Sequence, residues 1–103
     1  QSILALAANS GVDLVFNGHQ HNLEVFAPMN AAGSFDPTGV RQIVAGTGGA
    51  PLAPFGTPAP NSEIRDAQHW GIVVVDYAYG NGYTMTAEFT DGTTLDLGYN
   101  VCN

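Results

Sequence analysis

The clearest pattern in this chain is the alternation of apolar and polar positions along its last third. Between residues 83 and 89, and again between 95 and 101, every second residue is apolar or aromatic, and the residues between them are polar apart from Gly98. Neighbouring side chains of a strand point to opposite faces, so this period predicts two strands that each place one face on a core. Asn81-Gly82 and Asp91-Gly92 are turn dipeptides, and the segment is therefore predicted to be an antiparallel meander with its aromatic residues in the core.

Four further runs predict strands earlier in the chain. The apolar run Val12–Phe16 predicts a buried strand, and the continuous apolar run Gly71–Tyr77 predicts a strand that is buried on both faces. Leu23–Phe26 and Val40–Ala45 predict two shorter strands. Residues 46–66 contain most of the prolines and several glycines, so we expect a long loop there.

The first eleven residues predict a helix that ends early. Alanine and leucine, which favour helix, dominate this segment, and Asn9-Ser10-Gly11 is a helix stop signal. The segment lacks an initiator methionine and a basic region, so it does not resemble a signal peptide. We expect it to be the last turns of a helix whose beginning lies upstream of this chain.

Charge narrows the classes of partner. The 103 residues carry a net charge of −7, and Arg41 and Arg65 are the only fixed cations against nine carboxylates. This balance argues against nucleic acid and against an anionic membrane surface as partners. A phosphate ester would be repelled as well, unless a metal supplied positive charge. Cys102 is the single cysteine and indicates no internal disulfide, and the lysine-free composition favours an extracellular or periplasmic protein.

The strongest candidate for chemistry is the segment Gly-His-Gln-His at 18–21, directly after the first predicted strand. Functional residues concentrate where strands end and loops begin, and neutral imidazole is a common ligand of divalent metals. An extended backbone would place His19 and His21 on one side, whereas a turn at Gly18 would direct them to two adjacent ions. The pair is also compatible with ordinary surface histidines, because a metal site needs about three protein ligands.

The surroundings of the pair carry a resemblance. Asp13–Glu24 resembles the last signature of the calcineurin-like metallophosphoesterases, which include the purple acid phosphatases: an apolar strand, then G-H-x-H, often followed by Asn-Tyr-Glu. Leu23 replaces the usual tyrosine, and Val25 stands where many purple acid phosphatases have arginine. Residues 41–52 resemble the next strand and glycine loop of the family, and 69–76 resemble its following strand. The resemblance therefore covers most of the chain in the family's order.

The resemblance implies a fold and an activity. The fold is α/β, with residues 1–103 forming the C-terminal portion of a four-layer αββα metallophosphoesterase sandwich. This portion is expected to be mostly β, with a short N-terminal helix and a C-terminal antiparallel meander. The implied enzyme is a phosphatase or phosphodiesterase that hydrolyses small phosphate esters.

The resemblance also implies a site. His19 would ligate one metal and His21 its neighbour, in a pair of divalent or trivalent ions such as Fe, Zn or Mn that holds the phosphoryl oxygens and generates a hydroxide. Asn22 and Glu24 are candidates for supporting residues, and Glu24 or loop carbonyls are expected to accept the second N–H of the ligating rings. No further catalytic residue is assigned.

Most of the family's ligands are missing from this chain. The Asp-x-His, Gly-Asp-x-x-Asp and Gly-Asn-His signatures do not occur in it. We therefore expect an N-terminal portion of the same protein to complete the site, and the isolated 103 residues to be inactive. His69 follows the pair, whereas the remaining family ligands precede it, so we predict a loop histidine that lines the cleft or caps a turn.

Two other classes stay open. Cupin-like single-metal β-barrels also use H-x-H followed by a glutamate, here Glu24, although the spacing is short and no later histidine closes the motif. A metal-free β module that mediates assembly is the third hypothesis. The glycines at 46–49 lack the pattern of a phosphate-binding loop and predict a tight turn beside the histidines.

Overall fold

Two β-sheets and one short helix form the fold. The computed structural model describes residues 3–77 and 82–101, so Cys102 lies outside the described residues. The helix and strands are α1 Ile3–Asn9, β1 Leu14–Asn17, β2 Leu23–Phe26, β3 Arg41–Ala45, β4 Ser62–Asp66, β5 Gly71–Tyr77, β6 Gly82–Phe89 and β7 Thr94–Val101. Within the described ranges, no helix has the length and hydrophobicity needed to cross a membrane.

Helix α1 ends at the predicted stop signal. Gly11 has a φ of 76°, the left-handed conformation that glycine adopts without steric cost. The N–H of Gly11 donates to the carbonyl of Ala8, and the N–H of Val12 donates to that of Ala7. These two bonds form the Schellman arrangement, which satisfies the last carbonyls of the helix. The chain then enters β1 directly.

The first sheet, called the mixed sheet below, has the strand order β1-β3-β2-β4. Strands β1 and β3 are parallel, with Asn17 opposite Val44, and the other pairs are antiparallel. The carboxyl ends of β1 and β3 therefore lie at the same edge of the sheet. The loops that follow these two strands, which contain the histidine pair and the glycine loop, meet at that edge.

The second sheet, called the meander sheet, is antiparallel with the order β5-β6-β7. This confirms the predicted meander. The turn at Asp91-Gly92 connects β6 to β7, and Gly92 has a φ of 89°. The predicted Asn81-Gly82 turn lies in part outside the described residues, although Tyr77 pairs with Tyr83 on either side of it.

The two sheets pack face to face around one core. Its buried members come from both sheets and are Leu23, Val25, Ile43, Tyr83, Met85, Ala87 and Leu97. The leucine, valine, isoleucine and methionine side chains among them contribute about 1.5–3 kcal/mol each when removed from water. Ile3 and Leu4 of α1 border a cavity with Val15 and Gln42, on the opposite face of the mixed sheet. The described residues thus form three layers in the order helix, sheet, sheet.

Two strands are less buried than the sequence predicted. The prediction of a buried strand at Val12–Phe16 is wrong, because Phe16 is 47% exposed, and so is the prediction that Gly71–Tyr77 is buried on both faces, because Ile72 is 63% exposed. Both β1 and β5 are edge strands of their sheets. Strand β5 alternates between half-buried and exposed positions, since only one of its faces meets the core.

The predicted loop 46–66 is also wrong at its end, because Ser62–Asp66 forms β4. This strand contains a single apolar residue, Ile64, and its alternating partial burial leaves the charged side chains of Glu63 and Arg65 exposed. Charged edge strands of this kind resist pairing with other chains. Strand β4 pairs with β2 through a register shift between Val25 and Phe26.

Tyr99 departs from the predicted alternation. It was expected to face the core with Leu97, but it is 58% exposed. Gly98 has a φ of 107°, its N–H donates to Asp96 Oδ1 at 2.9 Å, and the register with β6 shifts between Met85 and Thr86. This bulge turns the end of β7 and moves Tyr99 out of the core.

Two Asp-x-Thr turns give the fold an acid-sensitive contribution. Hydrogen bonds from the Thr38 side chain and backbone lower the pKa of Asp36, and those from Thr93 lower the pKa of Asp91 in the same way. A lowered pKa stabilises the fold above the ordinary value near 3.8, and this contribution is lost as the pH falls through the folded-state pKa.

We therefore expect the free energy of unfolding to fall below about pH 4, and Asp36→Asn and Asp91→Asn to flatten that fall. Urea unfolding at pH 3, 4, 5 and 7 measures the effect. Asp76→Asn, an exposed aspartate outside such a turn, is the control. An unchanged slope in both turn variants would contradict the assignment.

Candidate metal centre

The histidine pair lies in a bend directly after β1, at the edge where β1 and β3 end. His19 has a φ of 77°, a conformation that few residues other than glycine adopt. The backbone is therefore not extended, and the chain turns at His19 rather than at Gly18. Such backbone strain persists only where the surrounding structure holds it, and it concentrates at functional sites.

Hydrogen bonds from two later segments hold this bend. The N–H of Gly46 donates to the Asn22 carbonyl at 2.9 Å, and the N–H of Ala53 donates to the His21 carbonyl at 2.8 Å. The Asn22 side chain is buried and donates to the Ala53 carbonyl at 3.2 Å. The loop that follows β3 is thus hydrogen-bonded to His21 and to Asn22, and the buried Asn22 side chain supports the bend.

The ring of His21 is oriented by a main-chain carbonyl. Its Nδ1 lies 3.0 Å from the Pro51 oxygen. A carbonyl only accepts, so Nδ1 carries the proton, and the neutral ring keeps its lone pair on Nε2. Ligating histidines show this arrangement, in which the second N–H fixes the tautomer and orientation of the ring. The sequence proposed Glu24 or a loop carbonyl for this role, and for His21 the acceptor is a loop carbonyl.

Glu24 makes a different contact. Its Oε2 accepts a hydrogen bond from Ser62 Oγ at 2.6 Å, which ties β2 to β4. Glu24 and Arg65 are direct partners across these two strands. The carboxylate thus contributes to the outer surface of the mixed sheet, and it binds a side chain of the neighbouring strand rather than an imidazole.

The donor set within the described residues is small. Among residues 3–77 and 82–101, no group of three or more histidine, cysteine, aspartate or glutamate side chains could hold a metal ion. His19 and His21 are both exposed, so their rings are accessible from outside this chain. A metal ion bound by these two imidazoles would need further ligands from elsewhere.

His69 is held as a turn residue. Its Nδ1 lies 2.8 Å from Asp66 Oδ2 and its Nε2 lies 3.4 Å from Asp91 Oδ2. Its ring stacks on Phe89 with centroids 4.6 Å apart, and Asp66 Oδ1 accepts the N–H groups of Gln68 and His69. His69 lies in the loop between β4 and β5, so the prediction of a loop histidine is confirmed. The contact with Asp91, which joins the two sheets, had no signal in the sequence.

The glycine loop lies against the histidine bend, as the sequence predicted for 46–49. A Cβ atom on Gly46 would lie 1.8 Å from the Gln20 carbonyl oxygen, whereas a Cβ on Gly48 would meet nothing within 4 Å. The Gln20 atoms that this Cβ would overlap belong to the backbone, so no side chain can move to relieve the overlap. Glycine at 46 is what allows the two loops to approach.

We expect Gly46→Ala to lower the free energy of unfolding by about 2–4 kcal/mol and to displace the bend 18–22. Gly48→Ala is the matched control and should change stability by less than about 0.5 kcal/mol. Urea unfolding measures the first effect, and amide chemical shifts of residues 18–22 measure the second. Equal stability of the two variants would refute the close approach.

Comparison with known proteins gives no relative. No protein-family model, no curated protein and no solved structure matches this chain.

Proposed function

We propose that this chain contributes His19 and His21 to a dinuclear metal centre that hydrolyses phosphate esters. The observation that carries the proposal is the His21 ring, whose Nδ1 is bonded to the Pro51 carbonyl so that Nε2 is left to bind a metal. The strained turn at His19 and its position at the carboxyl edge of parallel strands support the same assignment.

The charge of the chain agrees with metal-dependent chemistry. Its net charge is −7, and one of its two arginines, Arg41, is buried between the sheets. The chain therefore offers little positive charge to a phosphoryl group. Bound metal ions would supply that charge and activate a water for attack on phosphorus. Among the described residues, Pro51 orients the His21 ring and Ala53 holds the His21 main chain.

The proposed parent fold is the four-layer αββα sandwich of the calcineurin-like metallophosphoesterases. In this proposal, the helix, sheet and sheet layers described above would be three of its four layers. The remaining metal ligands would come from an N-terminal portion of the same protein, and the substrate would be a small phosphate monoester or diester. An extracellular or periplasmic location is part of this proposal.

The test is metal removal from the longest polypeptide that carries this sequence. We expect about two metal ions per chain by elemental analysis, loss of phenyl phosphate hydrolysis after treatment with a chelator, and recovery when Fe, Zn or Mn is restored. Residues 1–103 alone should bind metal weakly and hydrolyse nothing. Full activity of residues 1–103 alone, or hydrolysis that survives metal removal, would overturn the proposal.

The same measurement separates the other two classes. A cupin-like barrel would bind one ion through three histidines and Glu24, whereas here Glu24 contacts Ser62 and His69 contacts two aspartates. One ion per chain without phosphate-ester hydrolysis would favour that class. Absence of metal, with no property changed by loss of His19 and His21, would favour a metal-free β module.

A further inference from the structure

A groove beside the histidine bend has no role in the arrangement described so far. It encloses about 560 Å³, a volume in the range of small-molecule sites. We call it the Arg65 groove. Its lining residues come from the loop after β3 and from the end of β4: Leu52, Pro54, Phe55, Arg65, Asp66, Ala67 and Gln68.

The Arg65 groove and His21 share one segment of chain. Pro51 binds the His21 ring and Ala53 binds the His21 main chain, while their neighbours Leu52 and Pro54 line the groove. On the other side, Asp66 at the end of β4 pairs with Leu23, two residues after His21. The groove is therefore adjacent to the candidate metal ligands and joined to them by hydrogen bonds.

The groove presents a cation in an acidic chain. Of the two arginines, Arg41 is 7% exposed and bonded to Glu63, whereas Arg65 is exposed. Both hydrogen bonds of Arg65 to described residues use Nη1 and go to Ser62. Its Nε and Nη2 donors have no partner among residues 3–77 and 82–101, and a guanidinium with free donors suits an anion.

The carboxylate in the same groove does not cancel this charge. Asp66 Oδ2 lies 2.8 Å from His69 Nδ1, and Asp66 Oδ1 accepts the N–H groups of Gln68 and His69. Its two oxygens are thus committed to the turn after β4. Glu24 lies opposite Arg65 on β2 and binds the same Ser62 hydroxyl through Oε2, but it does not line the groove. Arg65 is therefore the cation among the lining residues that can bind an anionic ligand.

The opposite wall is apolar. Leu52 and Phe55 are half-buried and Pro54 is exposed, so the wall offers a flat surface to a ring or an alkyl chain. Aromatic side chains in such positions stack on rings of a ligand. A ligand that fits both walls has an apolar body and an anionic group at one end.

We propose that the Arg65 groove binds the organic group of a phosphate ester, and that this group carries an apolar ring or chain together with a second anionic substituent. The inference rests on the proposed function for the position of the phosphoryl group at His19 and His21. It adds the class of substrate: organic phosphates with a carboxylate or further phosphate on the leaving group, in preference to simple alkyl phosphates.

The test compares phenyl phosphate with 3-carboxyphenyl phosphate, in the polypeptide used for metal analysis. Arg65→Gln should raise the KM for 3-carboxyphenyl phosphate about tenfold, the effect of losing one charged hydrogen bond, with little change in kcat. The KM for phenyl phosphate should change less than about twofold. Arg65→Lys should give an intermediate KM, because it keeps the charge and loses the planar fork.

Two controls match these variants. Thr94→Glu makes the same one-unit change in net charge on the exposed surface of the meander sheet. Phe55→Ala should raise the KM of both aryl substrates, whereas Phe35→Ala, which removes a phenyl ring that is 61% exposed elsewhere, should not. Equal effects of Arg65→Gln and Thr94→Glu on both substrates would overturn the proposal.

If the polypeptide does not hydrolyse phosphate esters, the proposed function is wrong, but ligand binding to the Arg65 groove can still be measured. Calorimetric titration with 3-carboxyphenyl phosphate then decides. Binding that weakens about tenfold in Arg65→Gln and not in Thr94→Glu would support the groove as an anion subsite. Absence of binding, or binding that is indifferent to Arg65, would overturn it.

Discussion

Replacing His21 by glutamine is expected to lower phosphate-ester hydrolysis by at least about 100-fold and to reduce the bound metal. Residues that only support a metal ligand cost about 10–100-fold when they are changed, so the loss of a ligand itself should cost more. Glutamine keeps the approximate size of the side chain and the fold of the exposed bend. Elemental analysis and hydrolysis of phenyl phosphate, both on the full polypeptide, measure the two effects.

His19 needs a different substitution because of its backbone. Asparagine tolerates the left-handed conformation that His19 adopts at a φ of 77°, so His19→Asn should keep the turn while removing the imidazole. We expect the same loss of metal and activity as for His21. His69→Gln is the control for histidine content, since His69 binds Asp66 and Asp91. Full metal content in both bend variants, or equal loss in His69→Gln, would contradict the assignment.

Replacing Arg41 by methionine is expected to lower the free energy of unfolding by about 2–4 kcal/mol. The guanidinium is buried where β3 meets β7: it donates to the Asn100 side chain and to the Leu97 carbonyl, and to Glu63 on β4. Methionine fills the volume and leaves these acceptors without their donor. Buried acceptors that lose a partner cost about 1–3 kcal/mol each.

Two observations limit the size of this effect. Arg41 Nε is itself buried and has no hydrogen bond to the residues that the structure describes, so this arrangement already contains an unsatisfied donor. The Glu63 side chain is 48% exposed and can return to water. Glu63→Gln, which removes the charge on the exposed partner only, should therefore cost less than about 1 kcal/mol.

Chemical denaturation of the two variants tests the contribution of Arg41. A cost of Arg41→Met no greater than that of Glu63→Gln would show that the ion pair, and not the bonds to β7, is the important contact. Arg41→Met should also leave the His21 tautomer unchanged, because Arg41 lies at the opposite end of β3 from the glycine loop. Long-range ¹H–¹⁵N spectra of the imidazole check this point.

The strands of the fold could be predicted from the sequence where buried and less buried residues alternate regularly along them. Strands β6 and β2 have one apolar face and one polar face, and the sequence predicted both. The end of α1 was predicted because a glycine in the left-handed conformation is a local requirement. These signals depend on residues close in sequence, and no distant partner is needed to interpret them.

The errors have a common cause. Strand β4 has a polar sequence because it is an edge strand, and the apolar run of β5 indicated two buried faces where only one meets the core. The position of Tyr99 changed because a bulge at Gly98 shifts the register against β6. Each depends on which strand lies beside which, and that information is not local.

The candidate site divides in the same way. The histidine pair, its place after a strand and the expected loop-carbonyl acceptor came from the pattern of residues 12–24 and the resemblance it carries. Three other features depend on contacts between segments that are distant in the sequence, and the sequence pattern did not predict them. They are the choice of Pro51 as that acceptor, the approach of Gly46 to Gln20, and the groove around Arg65.

The sequence by itself determined most of the short segments that form strands, several of the turns, and the side chains that are candidates for binding a metal, because propensity and side-chain chemistry act over a few residues. The tertiary structure decided that β1 and β3 run parallel, so that two distant loops meet at one edge. It also decided the tautomer of His21 and the burial of Arg41. The physical reason is that hydrogen bonds and burial between distant segments depend on strand order, which a one-dimensional pattern does not specify.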